Sequence, residues 1–236
     1  MDNQSYYDAF SGWYERGRDR GYHAFLDRAQ TDLISEYAQD KNVCEIGCGT
    51  GLILKNIAPI ARSAVGIDIS NGMLRHARDR GLKVALASAC ELPFDSNAFD
   101  LVYSFKVLPH IEDIEGAIRE VERVLKPGGR AFLEFYNLNS IRHLIKKLKP
   151  AHKVSEDTTD EEVFTRYDSI EDATRYLPED LELVDIHGIR IITPSAHFHQ
   201  IPFVSQMTQW AERQLQRNAR AKKLGGFLIL EVKKGE

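Results

Sequence analysis

The sequence predicts an α/β domain in which a mostly parallel sheet carries helices on both faces. Three observations predict it. From about residue 43 to residue 136, short apolar runs alternate with segments of helical periodicity. The first apolar run, 43–46, ends in a turn with glycines at every second position, Gly47, Gly49 and Gly51. Acids and turn residues then recur at the ends of later runs: Asp68, Ser88 to Cys90, and Phe105 with Lys106. In an open sheet of this kind, ligands gather at the carboxyl ends of the strands, where all of these fall.

In chain order, residues 5–21 hold Tyr6, Tyr7, Phe10, Trp13 and Tyr14, followed by Arg16, Arg18 and Arg20. Two readings stand side by side: a surface helix whose aromatic side packs on the domain, and a flap whose aromatics line a pocket. Phe25, Leu26, Ala29, Leu33, Ile34 and Tyr37 recur at helical spacing, and Lys41 with Asn42 ends that helix. Strand one is 43–46. A helix over 52–58 comes after the glycines and stops at Pro59. Strand two is 64–68, and Ser70 caps a helix striped by Met73, Leu74 and Ala77. Strands three and four are 84–87 and 101–105. Ile114, Ala117, Ile118, Val121, Val124 and Leu125 stripe the next helix, with Glu112 and Asp113 at its N-terminus. Lys126, Pro127, Gly128, Gly129 and Arg130 stop it and turn the chain into strand five, 131–136.

Beyond strand five, Ile141, Leu144, Ile145 and Leu148 interleave with Arg142, His143, Lys146, Lys147 and Lys149. This basic amphipathic helix either packs over the sheet with a solvated face or meets anionic lipid or an acidic substrate. Residues 155–162 are acidic and polar, a mobile loop by composition. A short helix to Tyr176 starts at Asp168 or Ser169. Strand six is 181–190, and Pro194 breaks the segment beyond it. His197 and His199 have no nearby third ligand, so no metal is expected. A helix over 203–224, carrying Met207, Trp210 and Leu215 on one side, leads through Gly225 and Gly226 into a last strand, 227–232.

The 236 residues fit one domain, 1–236, with N-terminal helices over 1–40 and a cap insertion over 137–180. Net charge is −4, so no nucleic-acid partner is expected. Cys44, Cys48 and Cys90 are odd in number and lack disulfide or zinc spacing, which suits a reduced, cytoplasmic protein. The polar start, Met1 to Gln4, has no signal-peptide core, and no apolar run is long enough to span a bilayer. Nothing in the sequence sets an oligomeric state.

The glycine spacing carries the chemistry. Glycine adopts positive φ freely and lets a ligand approach the backbone, and the helix start after it offers N–H groups to a ligand carboxylate. A dinucleotide turn runs G-x-G-x-x-G, which would put its last glycine at Leu52 rather than Gly51. Glu45, two residues before Gly47, suits a positively charged ligand better than a pyrophosphate. Asp68 comes 21 residues after Gly47, near the spacing of an acid that binds ribose hydroxyls. Together Glu45, Gly47, Gly49, Gly51 and Asp68 resemble the class I S-adenosyl-L-methionine (SAM)-dependent methyltransferases. Leu92-Pro93-Phe94 followed by Phe99-Asp100-Leu101-Val102 is similar to the small-molecule branch that includes quinone-biosynthesis enzymes, and Leu125-Lys126-Pro127-Gly128-Gly129 is a third such mark.

The resemblance covers about residues 40–136. It implies a Rossmann-like, doubly wound, seven-stranded sheet, mostly parallel, whose last strand is antiparallel and inserted between strands five and six, with a small helical cap. It implies SAM as cofactor, held by Tyr14, Glu45, Gly47, Cys48, Gly49, Gly51, Asp68, Ile69, Met73, Ser88, Ala89, Cys90, Phe105 and Lys106. Ser88 stands where that branch usually carries an Asp facing the adenine, which shifts adenine recognition to the backbone around Ala89 and Cys90. His110 is either a general base for the acceptor or a structural, cofactor-side residue. The implied reaction is SN2 methyl transfer to a small-molecule acceptor, with an O, N or C nucleophile left open. Methylation of RNA or protein, an NAD-dependent oxidoreductase, and a non-catalytic SAM-binding module are the competing readings. The first wants a basic face; Gly51 and Glu45 oppose the second.

Overall fold

The computed structural model describes residues 3–15, 18, 21–147, 164–192 and 202–236. Its centre is β1 (Asn42–Ile46), which runs parallel to β2 (Ser63–Asp68) on one side and β4 (Phe99–Ser104) on the other. β3 (Val84–Leu86) extends the sheet past β2, and β5 (Leu125–Tyr136) extends it past β4. β7 (Phe227–Lys234) lies antiparallel between β5 and β6 (Leu181–Ile189), giving the order β3-β2-β1-β4-β5-β7-β6. This is the predicted seven-stranded, Rossmann-like sheet with its inserted antiparallel strand.

Alternation along each strand builds two cores. Cys44, Ile46, Val102 and Leu133 face one way, under α5 (Ile114–Val124). Val43, Leu101, Tyr103 and Phe132 face the other, under α2 (Gly21–Ala38). Both faces are covered, so the central strands read as continuous apolar runs rather than as alternating ones.

The chain reverses direction across the sheet between β1 and β4, and the segments just after those strands frame a crevice there. After β1, the glycine turn leads to a helix shorter than predicted, α3 (Leu54–Ile57). The turn itself absorbs the first residues: Gly51 N–H bonds Cys48 O at 2.8 Å, and the first i→i−4 bond is Lys55 N–H to Gly51 O at 3.0 Å. α4 (Asn71–Asp79) starts where predicted, with the Ser70 hydroxyl accepting from Met73 N–H. Asp113 caps α5 through Gly116 N–H. Lys126 to Arg130, predicted as a turn, instead bulge within β5. Leu125 pairs with Phe99 and Arg130 with Leu101, so the partner strand skips the intervening residues.

α1 (Asn3–Tyr14) lies across the N-terminus of α4. Asp8 Oδ1 accepts from Ser70 Oγ–H at 2.6 Å and from Gly72 N–H at 2.8 Å. Gly72 permits the approach, because a Cβ there would sit 2.8 Å from Ser11 Oγ. Glu15 pairs with Arg80, which also donates to Thr50 O at 2.9 Å and so ties the end of α1 to the glycine turn.

After β5 come α6 (Ile141–Lys147) and α7 (Ile170–Arg175), the latter held by a capping box between Ser169 and Asp172. The predicted helix over 203–224 divides into α8 (Pro202–Gln216) and a 3-10 turn (Ala221–Leu224). Asn218 Oδ1 breaks it by accepting from Arg220 and Ala221 N–H. The acidic loop at 155–162, Pro194, His197 and His199 lie outside the described residues. Among the described residues, no helix is long and apolar enough to cross a membrane.

Candidate active site

A cavity of about 640 Å³ opens at the carboxyl ends of β1, β2, β4 and β5, beside α1. Its volume falls in the range of ligand pockets, roughly 300–1,000 Å³. The glycine turn forms one wall. All three glycines have positive φ: 71° at Gly47, 52° at Gly49 and 79° at Gly51. Their spatial reasons differ. A Cβ on Gly47 would fall 2.1 Å from Val107 Cγ2, and one on Gly51 would fall 2.3 Å from Leu82 Cδ1. A Cβ on Gly49 would meet nothing within 4 Å, because Gly49 faces the open cavity.

Asp68, the last residue of β2, clasps this turn. Its Oδ2 accepts from Gly49 N–H at 2.8 Å, and its Oδ1 accepts from Ser70 N–H at 2.9 Å. Burial raises its pKa, and these backbone donors oppose that rise. Both oxygens keep acceptor capacity for a ligand. Ile69, Met73, Ser88, Ala89 and Cys90 continue the wall. The Ser88 hydroxyl accepts from Cys90 N–H at 3.1 Å, so that backbone donor is already committed.

On the far side, Lys106 leaves β4 with φ of 63° and donates its N–H to Glu134 Oε1 at 3.0 Å. Its ammonium reaches Asp27 Oδ1 at 2.7 Å, and Arg18 reaches the same oxygen at 3.3 Å. Burial alone would raise the Asp27 pKa; Lys106 and Arg18 pull it below the usual carboxylate range. The Arg18 guanidinium lies 4.1 Å from the centre of the Tyr14 ring. His23, also in the wall, is pushed down to about 4 by burial and is neutral at pH 7.

Residues 44–133, which hold the glycine turn, Asp68, Ser88, Lys106 and His110, match a family described as a methyltransferase domain. This stretch is a methyltransferase domain. Its fold is that of a SAM-dependent methyltransferase of known structure. Demethylmenaquinone methyltransferase from Corynebacterium urealyticum is 33% identical over 130 residues, covering 55% of this chain and 54% of that protein. Probable tRNA methyltransferase 9B from Mus musculus is 34% identical over 107 residues, 42% of this chain and 24% of that protein. The chain spans a little over half the length of the first curated relatives it matches. Among solved structures, a SAM-dependent methyltransferase from Thermotoga maritima, a possible histamine N-methyltransferase, superposes with a TM-score of 0.70 at 20% identity, over 98% of this chain and 99% of that one. At that identity the likeness speaks to the fold.

Of the residues expected to serve the methyltransferase domain, Tyr14, Gly47, Gly49, Asp68, Ile69, Met73, Ser88, Ala89, Cys90, Phe105, Lys106 and His110 line the cavity. Glu45, Cys48 and Gly51 do not. Strand alternation puts Glu45 on the same sheet face as Val43, where it is 4% exposed and accepts from Tyr103 O–H at 3.1 Å. Burial pushes its pKa up to about 8, so it offers no full negative charge to a cation at neutral pH. Cys48 turns its sulfur toward β2, where a Cβ on Gly66 would sit 2.6 Å from it. Gly51 packs on Leu82.

The wall also holds Tyr6, Tyr7, Tyr136, Arg142, Thr165 and Tyr167, which lie outside the predicted site. Tyr136 ends β5, so the strand-end rule that found Phe105 reaches it too. Arg142 and Tyr167 lie after the sheet core, where no spacing rule applies. In the aromatic N-terminal segment, Tyr6 is buried in packing and also lines the cavity.

His110 closes a 3-10 turn (Leu108–His110). Its Nδ1 is 2.9 Å from Phe164 O, and a carbonyl only accepts, so Nδ1 carries the proton. Nε2 is then the basic nitrogen, 3.3 Å from the Tyr136 hydroxyl. Burial raises the Tyr136 pKa, so the phenol keeps its proton and can donate this hydrogen bond to a neutral His110.

Proposed function

We propose that this protein transfers the methyl group of SAM to a small-molecule acceptor. One observation carries the reading: a single cavity joins the glycine turn and Asp68 to a wall of Tyr7, Tyr14, His110, Tyr136 and Tyr167. Bound SAM supplies a methyl group already activated on a sulfonium. The protein then has to align, desolvate and, for a hydroxyl or carbon acid, remove a proton. Asp68, fixed by Gly49 and Ser70, accepts from the ribose hydroxyls. Gly49 leaves room for the ligand beside the backbone, and Ile69, Met73 and Ala89 offer an apolar bed for the adenine. The tyrosines favour an aromatic or otherwise flat acceptor. His110 is the base: an acceptor hydroxyl replaces Tyr136 at Nε2 and gives up its proton there, while Phe164 O steadies the opposite N–H.

In this reading residues 1–236 form one unit, with 1–40 as a flap and 137–180 as the cap that shapes acceptor choice. The free thiols of Cys44, Cys48 and Cys90 suit the cytoplasm. The test is titration calorimetry with SAM, S-adenosylhomocysteine and NAD, followed by a methyl-acceptor screen. Binding of the first two without NAD, and methylation of a small phenol or acid, are expected. Binding of NAD alone overturns the cofactor assignment. The likeness to a tRNA methyltransferase favours RNA as the second reading. Methylation of total tRNA, with no turnover on small acceptors, would establish it instead.

A further inference from the structure

The acceptor wall contains a cation with no ion-pair partner among the described residues. Arg142 is the second residue of α6, and its stem is wedged against Gly226, where a Cβ would lie 3.1 Å from Arg142 Cδ. Its guanidinium lies 5.4 Å from the centre of the Tyr136 ring and 5.3 Å from that of Phe227. Those contacts fix where the planar group sits. Nη1 is sealed from water and has no hydrogen-bond partner among the described residues. The residue lines the cavity, so a ligand meets the open side of the guanidinium.

No described carboxylate forms an ion pair with it. Lys106 and Arg18 also line the cavity, but both pair with Asp27. Arg142 takes part in none of the ion pairs among the described residues. Glu134 is the buried acid that feels it, yet its Oε1 already accepts from Lys106 N–H and its Oε2 from Gln30. Burial also pushes Glu134 up to about 7, which halves its charge near neutral pH. Arg190 lies close enough for its charge to be felt by Arg142 and adds to the positive potential. A partly desolvated cation without a counter-charge is costly, and pairing with an anion offsets that cost. The guanidinium fork matches a carboxylate or phosphate in two parallel hydrogen bonds.

We propose that Arg142 anchors an anionic group, carboxylate or phosphate, on the methyl acceptor, and so selects acidic aromatic metabolites. This rests on the small-molecule reading of the same cavity. The anion sits beside Tyr136, which in turn reaches His110, so the acceptor's charged end is held next to the proposed base.

The experiment uses the full chain saturated with S-adenosylhomocysteine, titrated by calorimetry with benzoate, phenyl phosphate and the uncharged benzamide. At least one anion should bind about tenfold more tightly than benzamide. The tighter of the two tells carboxylate from phosphate. R142Q should abolish the preference, and R142K should retain part of it, with S-adenosylhomocysteine affinity and thermal midpoint unchanged in both. Equal binding of all three probes, no binding of any, or a preference that survives in R142Q overturns the inference. Failure of S-adenosylhomocysteine itself to bind the wild type would instead count against the cofactor reading.

Discussion

Asp68 shows how much one side chain can organise. It holds the glycine turn through Gly49 and the start of α4 through Ser70, and it still faces the cavity. D68A should therefore weaken SAM binding by about 1–3 kcal/mol, through a lost charge-assisted hydrogen bond and a looser turn. Calorimetry reads this directly, and unchanged affinity would remove Asp68 from the site. The glycines allow a sharper contrast. At Gly49 an alanine meets open space but must adopt φ of 52°, whereas at Gly47 it must also displace Val107, 2.1 Å away. The backbone strain alone costs roughly 1–2 kcal/mol. G47A should lower the thermal midpoint clearly more than G49A, and equal losses would show that the Val107 contact yields freely. At His110 the two sequence readings separate by what each substitution changes. H110A should reduce turnover by about 10²–10⁴-fold with S-adenosylhomocysteine affinity unchanged. A fall in affinity alone would place the residue on the cofactor side. The sequence pointed to these residues because glycine spacing and strand-end acids are local signals. Glu45 stands apart from the cavity for an equally physical reason: its position before the turn is local, but its burial beneath Tyr103 depends on which sheet face α2 covers.

Among the elements, α1 docks on α4 through hydrogen bonds between residues far apart in sequence. Asp8 supplies α4 with two bonds from outside that helix, complementing the cap that Ser70 already provides. D8A should loosen α1 without unfolding the sheet, at a cost of about 1 kcal/mol. Hydrogen exchange should speed up in α1 and in the first turn of α4 while the amides of β1, β4 and β5 stay protected. Uniform acceleration would mean that α1 is part of the global core. No sequence rule announces this contact, since Asp8 and Gly72 are 64 positions apart. The parallel strands, by contrast, were legible to within a residue or two apart from the start of β5, because the central ones are apolar runs buried on both faces and bounded by turn residues. The elements that departed are those governed by hydrogen bonds beyond their own periodicity. α3 shortened because the glycine turn consumes its first residues. Lys126 to Gly129 became a bulge inside β5 because the strand pairs with β4 on both sides of them, at Leu125 and at Arg130. The helix over 203–224 broke because the Asn218 side chain competes for the backbone.

Across the whole molecule, two carboxyls buried at the heart of the sheet set an alkaline limit to stability. Burial pushes Glu45 up to about 8 and Glu134 up to about 7, each from 4.5. Between those values the folded chain holds protons that the unfolded chain releases. Stability supplied by these groups is complete below about pH 4.5 and is lost as pH rises toward 7 and 8. The slope per extra proton is about 1.4 kcal/mol per pH unit. Asp27 and Asp100, lowered by Lys106 and by Asn42 N–H with Lys126 against the pull of burial, act in the opposite sense. Their contribution is present above the unfolded carboxylate pKa and lost as pH falls through their own lower values. Stability should thus peak on the acid side of neutrality. E45Q keeps an acceptor for Tyr103 and removes the titration, so it should flatten the decline above about pH 5. Because Glu45 lies outside the cavity, S-adenosylhomocysteine affinity should hardly change. Thermal midpoints of wild type, E45Q and E134Q across that range would decide it. If E45Q leaves the slope intact and weakens S-adenosylhomocysteine binding, Glu45 is ionised in the fold and serves the cofactor, as its place in the glycine motif first suggested.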